Sequence, residues 1–192
     1  MHIILYDIFN NLWRNTMNSK KMLAESLEKL LMKKNLDDIP VSEIVVGTSL
    51  SRKTFYRHFR DKYDLASWYF AQFYEASFGR ITTGITWEEA LLHYLDIYQE
   101  KYIVLKNAYA SRDVNGLRAY DISVTKKTYE KYLTIKGADI NSETMRFAID
   151  IASCGGTDMV IKWLLSGMKM EKGKLVCLLK QTLPNDILKY ID

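Results

Sequence analysis

The sequence predicts an all-α protein, and its turn residues and apolar spacing give the reasons. The 192 residues include only 2 prolines and 9 glycines, whereas turn-rich β-sandwiches and barrels need many of both. Helix interiors exclude these residues. Apolar residues recur at intervals of three and four through most of the chain, which is the period of one helix face. We therefore predict short N-terminal helices followed by a longer set of antiparallel helices.

Two helices are predicted first. One begins at an N-cap, Ser19, and ends in the stretch 33–35. The other begins near Pro40, since proline suits a first helical turn, and ends at Gly47.

The next two predicted helices complete a recognisable layout. Ser51 caps a helix from Arg52 to about Phe59, and a longer helix runs from near Asp61 to Gly79. Three short helices followed by a long one are typical of a helix-turn-helix head joined to a body. In such heads the second helix of the pair lies in the major groove of DNA.

The rest of the chain predicts an antiparallel helical body. Thr86 and Glu89 form a capping box, Gly167 ends the longest helix, and Pro184 interrupts the last one. The predicted body helices span 87–98, 102–109, 117–135, 142–165, 175–183 and 187–191.

We expect three regions along the chain. Residues 19–66 form the helix-turn-helix DNA-binding domain, and 67–192 form a helical domain for ligand or partner binding and dimerisation. Residues 1–18 form an N-terminal extension with two interpretations. It is either an extra helix that docks on the body, or translated upstream sequence before a true start at Met17. Its apolar stripe consists of Ile4, Leu5, Ile8, Phe9, Leu12 and Trp13.

Membrane and secreted classes are not indicated. No apolar run approaches the roughly 20 residues that span a bilayer, and residues 1–13 lack the basic start and cleavage site of a secretory signal. We therefore expect a cytoplasmic protein whose two cysteines, Cys154 and Cys177, are reduced and serve as small core residues.

An enzyme is not indicated either. The chain has three histidines, His2, His58 and His93, but no nucleophile elbow, no glycine-rich phosphate loop and no zinc-type cluster. We predict no catalytic residue, no metal site and no cofactor.

A dense basic cluster lies between residues 51 and 62. The whole chain carries a net charge of only +4, so the cluster indicates binding to a polyanion. The alternative is a solvated helix face. Against one acidic residue, Asp61, the cluster has five basic ones: Arg52, Lys53, Arg57, Arg60 and Lys62.

Three runs in this region carry a family resemblance. They read IPVSEI at 39–44, LSRKTFYRHF at 50–59 and DKYDL at 61–65. Together they resemble the DNA-binding signature of TetR-type transcriptional regulators, over about residues 19–68.

The resemblance implies a set of DNA contacts. Arg52 would pair with a guanine, Lys62 would meet a phosphate beside a helix N-terminus, and Phe55 and Phe59 would anchor the helix in the core. Arg60 is left open between contact and solvation. The implied DNA-binding residues are Ser42, Ser51, Arg52, Lys53, Thr54, Tyr56, Arg57, His58 and Lys62.

The sequence departs from the family pattern at three places. Pro40 stands where the family has Thr or Ser, so the second helix lacks its usual cap. Gly47 and Ser49 replace the usual Ala and Gly, and Leu50 replaces Val. We expect Ser49 to adopt the left-handed conformation usually left to glycine.

The body resembles TetR-type regulators of dihydroxyacetone kinase operons. The resemblance lies in 87–109, Gly155-Gly156 and 161–167, and it implies a homodimer formed through about 141–167 and 171–191. A dimer would read a palindromic operator with half-sites ~34–36 Å apart or a multiple of that. Adjacent glycines inside a helix indicate close helix approach or a kink.

The resemblance implies control through the body, by a small inducer or a protein co-regulator. Aromatic residues at helical spacing line a ligand cavity on one interpretation and are plain core on the other. The candidates are Trp87, His93, Tyr94, Tyr98, Tyr102, Tyr109 and Trp163.

The leading hypothesis is a homodimeric, sequence-specific DNA-binding regulator that represses transcription. Two alternatives stay open: an activator of a metabolic operon controlled by a protein co-activator, and an adaptor that has lost its operator.

Overall fold

The fold is all-α, as predicted. The computed structural model describes the backbone of residues 2–79, 84–111 and 114–191, and the side chains of 16–79, 84–111 and 116–191. Within these ranges there is no strand, and no helix is long and apolar enough to cross a membrane. The elements are α1 (His2–Leu31), a 3₁₀ turn (Leu36–Asp38), α2 (Val41–Val46), α3 (Arg52–His58), α4 (Lys62–Phe78), α5 (Trp87–Glu100), α6 (Tyr102–Tyr109), α7 (Val114–Ile135), α8 (Glu143–Leu165), α9 (Lys172–Gln181) and α10 (Asn185–Leu188).

Helix α1 corrects one prediction. The sequence predicts a helix start at Ser19, but α1 runs unbroken from His2 through that residue. No proline or glycine occurs before Gly47 except Pro40, so nothing stops the helix from extending in the N-terminal direction. The side chains of the apolar stripe at 4–13 lie outside the described residues.

The head consists of α1, α2 and α3 packed around one apolar cluster. Leu23, Leu27, Ile44 and Phe55 in this cluster are fully buried. Helix α1 also packs against α4 and α6, so the same helix carries the head and contacts the body. Burial of these side chains fixes the position of α3, the basic helix.

The body packs α4, α5, α7 and α8 side by side. Helix α7 lies between α4 and α8, and α5 packs on α4 and α9. Helix α8 is one continuous helix across Gly155 and Gly156. The predicted capping box is present, because Thr86 and Glu89 each accept a hydrogen bond from the other's backbone N–H.

The turn between α2 and α3 corrects the prediction for Ser49. Among the described residues, Met168 is the one residue other than glycine with a positive φ. The turn closes through Thr48 instead: its Oγ1 donates to the Val45 carbonyl at 2.9 Å and accepts from the Leu50 N–H at 3.1 Å. Ser49 therefore needs no left-handed conformation.

The prediction that both cysteines are core residues is also wrong. Cys154 on α8 and Cys177 on α9 are both exposed. They lie beside exposed apolar side chains, Phe147 and Ile151 on α8 and Leu178 on α9. Their apolar character therefore matches an outer face of the body that this chain does not itself cover.

Candidate nucleic-acid interface

Helix α3 separates an anchored face from an exposed basic face. Phe55 is fully buried, while Arg52, Lys53 and Arg57 are exposed and Tyr56 is 52% exposed. Three of these four residues are cations, so the face suits a polyanion.

The start of α3 is fixed by a side-chain cap. Ser51 Oγ accepts from the Thr54 backbone N–H at 3.1 Å and lies 3.0 Å from the Thr54 hydroxyl. Both hydroxyls lie at the helix N-terminus, whose partial positive charge favours phosphate.

The far end of α3 is anchored by aromatic rings. The rings of Phe55 and Phe59 are 6.0 Å apart, and Phe59 lies 5.8 Å from Trp68 on α4. The ammonium group of Lys20 lies over both Phe59 and Trp68, at 5.4 and 5.6 Å from their centroids. Neither Lys20 nor Trp68 is a sequence-predicted contact, because their role depends on packing between distant segments.

His58 is half-buried at the end of α3. Burial lowers the pKa of its imidazole, and the neighbouring charges of Arg57 and Lys20 lower it further. His58 is therefore neutral at pH 7, and its Nε2 is buried with no hydrogen-bond partner among the described residues.

Lys62 lies at the first turn of α4 and is partly buried. Its Nζ donates to the Asp37 carbonyl oxygen at 2.6 Å and lies 5.3 Å from the Tyr63 ring centroid. Burial lowers the pKa of this ammonium group, and nearby Asp37 and Asp38 act in the opposite direction. Lys62 thus ties α4 to the 3₁₀ turn.

Helix α2 supports α3 and exposes Ser42. Pro40 is its N-cap and makes no side-chain cap hydrogen bond, as predicted. A salt bridge between Lys34 Nζ and Glu43 Oε2, at 2.5 Å, joins α2 to the end of α1. Inside the head, the Ser26 hydroxyl donates to the Ile44 carbonyl at 2.7 Å.

Hydrogen bonds and an ion pair also join α1 to the body. Glu28 on α1 accepts a hydrogen bond from Tyr69 on α4 at 2.6 Å and pairs with Lys101, which lies just before α6. Asn107 on α6 donates to the last carbonyl of α1, that of Leu31, at 2.7 Å. A shift of α4 or α6 therefore reaches α1 through direct contacts.

The body contains an apolar cavity of about 320 Å³ between α4, α5, α7, α8 and the end of α9. Of the predicted ligand-binding residues, Trp87 and Tyr94 line this cavity. The other five lie elsewhere: Tyr98, Tyr109 and Trp163 are buried, Tyr102 is half-buried and His93 is exposed. The lining residues of α7 and α8, among them Tyr129 and Tyr132, were not predicted, because the faces on which these helices meet depend on packing between distant segments.

The fold and head define a class: an all-α protein with a helix-turn-helix head on a helical body. A family model described as "Transcriptional regulator C-terminal region" (TetR_C_8) matches residues 85–185. The chain belongs to this family, so the expectation of a TetR-type transcriptional regulator is confirmed.

Two relatives carry matching descriptions. The chain is 27% identical to the HTH-type dhaKLM operon transcriptional activator DhaS of Lactococcus lactis subsp. lactis (strain IL1403) over an alignment of 96 residues. This alignment covers 46% of this chain and 51% of the relative. The chain thus spans about half the length of this relative. A solved structure, "Dihydroxyacetone kinase operon activator DhaS", shares the fold at a TM-score of 0.64 and 18% identity, over 91% of this chain and 98% of that one.

Proposed function

We propose that this protein is a non-enzymatic transcriptional regulator that binds a palindromic DNA operator as a homodimer. The body controls operator binding in response to a small ligand or a partner protein. The observation that carries this function is the exposed basic face of α3, held by a buried aromatic anchor.

Base recognition is assigned to the start of α3. Arg52 is the first residue of the helix, its side chain is exposed, and its guanidinium suits bidentate pairing with guanine O6 and N7. Lys53, Tyr56 and Arg57 are exposed on the same short helix, within reach of base edges or phosphates.

Dimerisation is assigned to α8 and α9. Phe147, Ile151 and Met159 are 68%, 49% and 42% exposed and recur at four- and eight-residue intervals along α8. A Cβ added at Gly155, between Ile151 and Met159, would meet no atom within 4 Å. Such an open apolar stripe with a glycine notch fits close approach of a second α8. A second α8 would also cover the open side of the apolar cavity, because Ile151, Gly155 and Met159 line that cavity.

Repression is the first candidate for the sign of control. Activation with a protein co-activator is the second candidate, and the activator descriptions of both relatives favour it. In vitro transcription from a promoter that carries the operator distinguishes these candidates: added protein lowers the transcript level in the first case and raises it in the second.

The test of DNA recognition compares two arginines. Arg52→Ala should weaken binding to a selected operator by about 1–3 kcal/mol, with little change on random DNA. Arg60→Ala is the matched comparison, because it removes the same charge from a side chain that is 85% exposed outside α3 and pairs with Asp61. Whether Arg60 meets a phosphate or only solvent, this variant should change the affinity for both DNAs equally. Fluorescence anisotropy on both DNAs measures these affinities. An equal loss of affinity on random DNA after Arg52→Ala would show that Arg52 does not contact a base.

A further inference from the structure

The apolar cavity has a lining whose hydroxyl groups are already satisfied. Tyr74 and Thr125 share a hydrogen bond at 2.5 Å, and Thr125 lies 3.2 Å from the Thr157 hydroxyl. Thr128 and Thr182 donate to carbonyls of their own helices, each at 2.9 Å.

The remaining hydroxyls of the lining are tyrosines, and they are paired too. Tyr94 donates to Tyr98 at 2.7 Å, Tyr132 donates to the Tyr190 carbonyl at 3.3 Å, and Tyr129 bonds to Trp87. An occupant of this cavity therefore gains burial of apolar surface but few new hydrogen bonds. Its body must be hydrocarbon, since unsatisfied polar groups are costly to bury.

A second cavity, of about 360 Å³, adjoins the first between α4 and α7. The two cavities share four lining side chains: Tyr74, Phe78, Thr128 and Tyr132. The same four side chains therefore border both cavities, so one molecule that extends past them contacts both linings.

Two lysines give this second cavity its charge. Lys127 and Lys131 line it, both are exposed, and they lie one helical turn apart on α7. Neither lysine has an ion-pair partner among the side chains that the structure describes. One carboxylate, Glu75, lies in the same lining, so the net charge of the second cavity's lining is +1.

We propose that the two cavities together bind one small molecule with a hydrocarbon body and a single anionic group. The hydrocarbon part of the molecule lies in the apolar cavity, and Lys127 and Lys131 hold the anionic group. Control of operator binding by this occupant rests on the proposed function, whereas the binding itself does not.

Calorimetric titration of the full chain, without DNA, tests the proposal with three probes. Decanoate should bind once per chain. Decanol has the same hydrocarbon body without the charge and should bind about tenfold more weakly. Dihydroxyacetone is small and polar and should show no binding. Absence of decanoate binding, or equal affinity for decanoate and decanol, would overturn the proposal.

Two double lysine variants test where the anionic group binds. Lys127→Gln/Lys131→Gln should weaken decanoate binding about tenfold and leave decanol binding unchanged. Lys29→Gln/Lys33→Gln is the matched control, because it removes the same charges at the same spacing from exposed positions in the head. A similar loss in both double variants would show a general charge effect and contradict the assignment.

A variant that fills the apolar cavity tests whether the hydrocarbon part of the molecule binds there. A Cβ added at Gly156, which lines the apolar cavity, meets no atom within 4 Å. Gly156→Leu should therefore abolish binding of both decanoate and decanol while the helical circular dichroism stays unchanged. Retained binding in this variant would overturn the cavity as the site.

Operator affinity, measured separately with and without decanoate, distinguishes the two failures. A chain that binds its operator but not decanoate refutes this inference alone. A chain that binds decanoate but no operator refutes the proposed function alone.

Discussion

At the residue scale, the head depends on a contact between Gly47 and Ser26. Ser26 is 4% exposed and its hydroxyl donates to the Ile44 carbonyl at 2.7 Å. A Cβ at Gly47 would overlap this hydroxyl and lie 3.2 Å from Ser26 Cβ. The turn thus uses glycine because a buried side chain occupies the space, and its φ of −69° is ordinary.

Gly47→Ala should therefore destabilise the chain by about 1–3 kcal/mol, because overpacking displaces buried groups. Ser26→Ala removes the obstructing oxygen, so the double variant should lose less than the sum of the two single variants. Urea unfolding of the four proteins measures this coupling. Strictly additive losses would contradict the steric account.

A second residue-scale feature is the buried carboxyl of Asp121. It is 3% exposed, accepts a hydrogen bond from the Tyr109 hydroxyl, and burial raises its pKa from 3.8 to about 8. Between these values the folded chain holds a proton that the unfolded chain releases. The free energy of unfolding therefore falls as pH rises from about 4 to about 8.

Asp121→Asn removes this titration. The difference in unfolding free energy, variant minus wild type, should rise with pH by up to about 1.4 kcal/mol per unit between pH 5 and 8. Denaturant unfolding at several pH values measures it, and Asp139→Asn, at an exposed carboxylate, is the control. A constant difference for Asp121→Asn would refute the burial-driven pKa.

Sequence could predict the residues whose role is local. Ser51 caps α3 because a serine precedes a helical run, and Phe55 and Phe59 are core residues because they share a helix face. Gly47 and Asp121 could not be predicted in this way, because their constraints come from residues on other turns or helices.

At the element scale, a capping residue or a proline correctly predicts the starts of α2 to α5, whereas the predicted starts of α1 and α9 are wrong. The predicted starts at Arg52, near Asp61 and at Trp87 agree with α3, α4 and α5. The predicted α1 begins too late, at Ser19, because a serine within a long apolar pattern suits an N-cap as well as a helix interior. The head is thus a small set of capped elements whose spacing the core fixes.

Lys62 gives the element-scale prediction. Lys62→Ala should lower DNA affinity on all sequences alike and flatten the salt dependence by about one unit, because one phosphate contact is lost. Loss of its hydrogen bond to the Asp37 carbonyl should also lower the unfolding free energy by about 1 kcal/mol. Lys29→Ala, at an exposed position on α1, is the control. Anisotropy titrations at several salt concentrations decide, and an unchanged slope would remove Lys62 from the contacts.

At the scale of the whole molecule, two exposed surfaces have no partner within the described chain. They are the basic face of α3 and the apolar face of α8 and α9. The sequence predicts α3, α8 and α9, but periodicity alone could not show that Phe147 and the two cysteines face outward. Fold and head could thus be predicted, whereas the body cavity depends on packing between α4, α7 and α8.

The proposed dimer makes a direct prediction. Phe147→Asp/Leu178→Asp places two charges on the exposed face of α8 and α9 and should weaken association by about a hundredfold or more. Met32→Asp/Ile103→Asp makes the same change at exposed apolar positions on other elements and should leave association unchanged. Sedimentation equilibrium measures both. A fully dimeric Phe147→Asp/Leu178→Asp variant would move the interface elsewhere.

Selection of bound DNA from a random pool tests the central claim most directly. If two α3 helices related by a two-fold axis enter successive major grooves, the selected DNAs should share a palindrome. Its half-sites should lie ~34–36 Å apart, or a multiple of that distance. Bound sequences with no common motif, or an unrepeated single half-site, would contradict a dimer that reads DNA through α3.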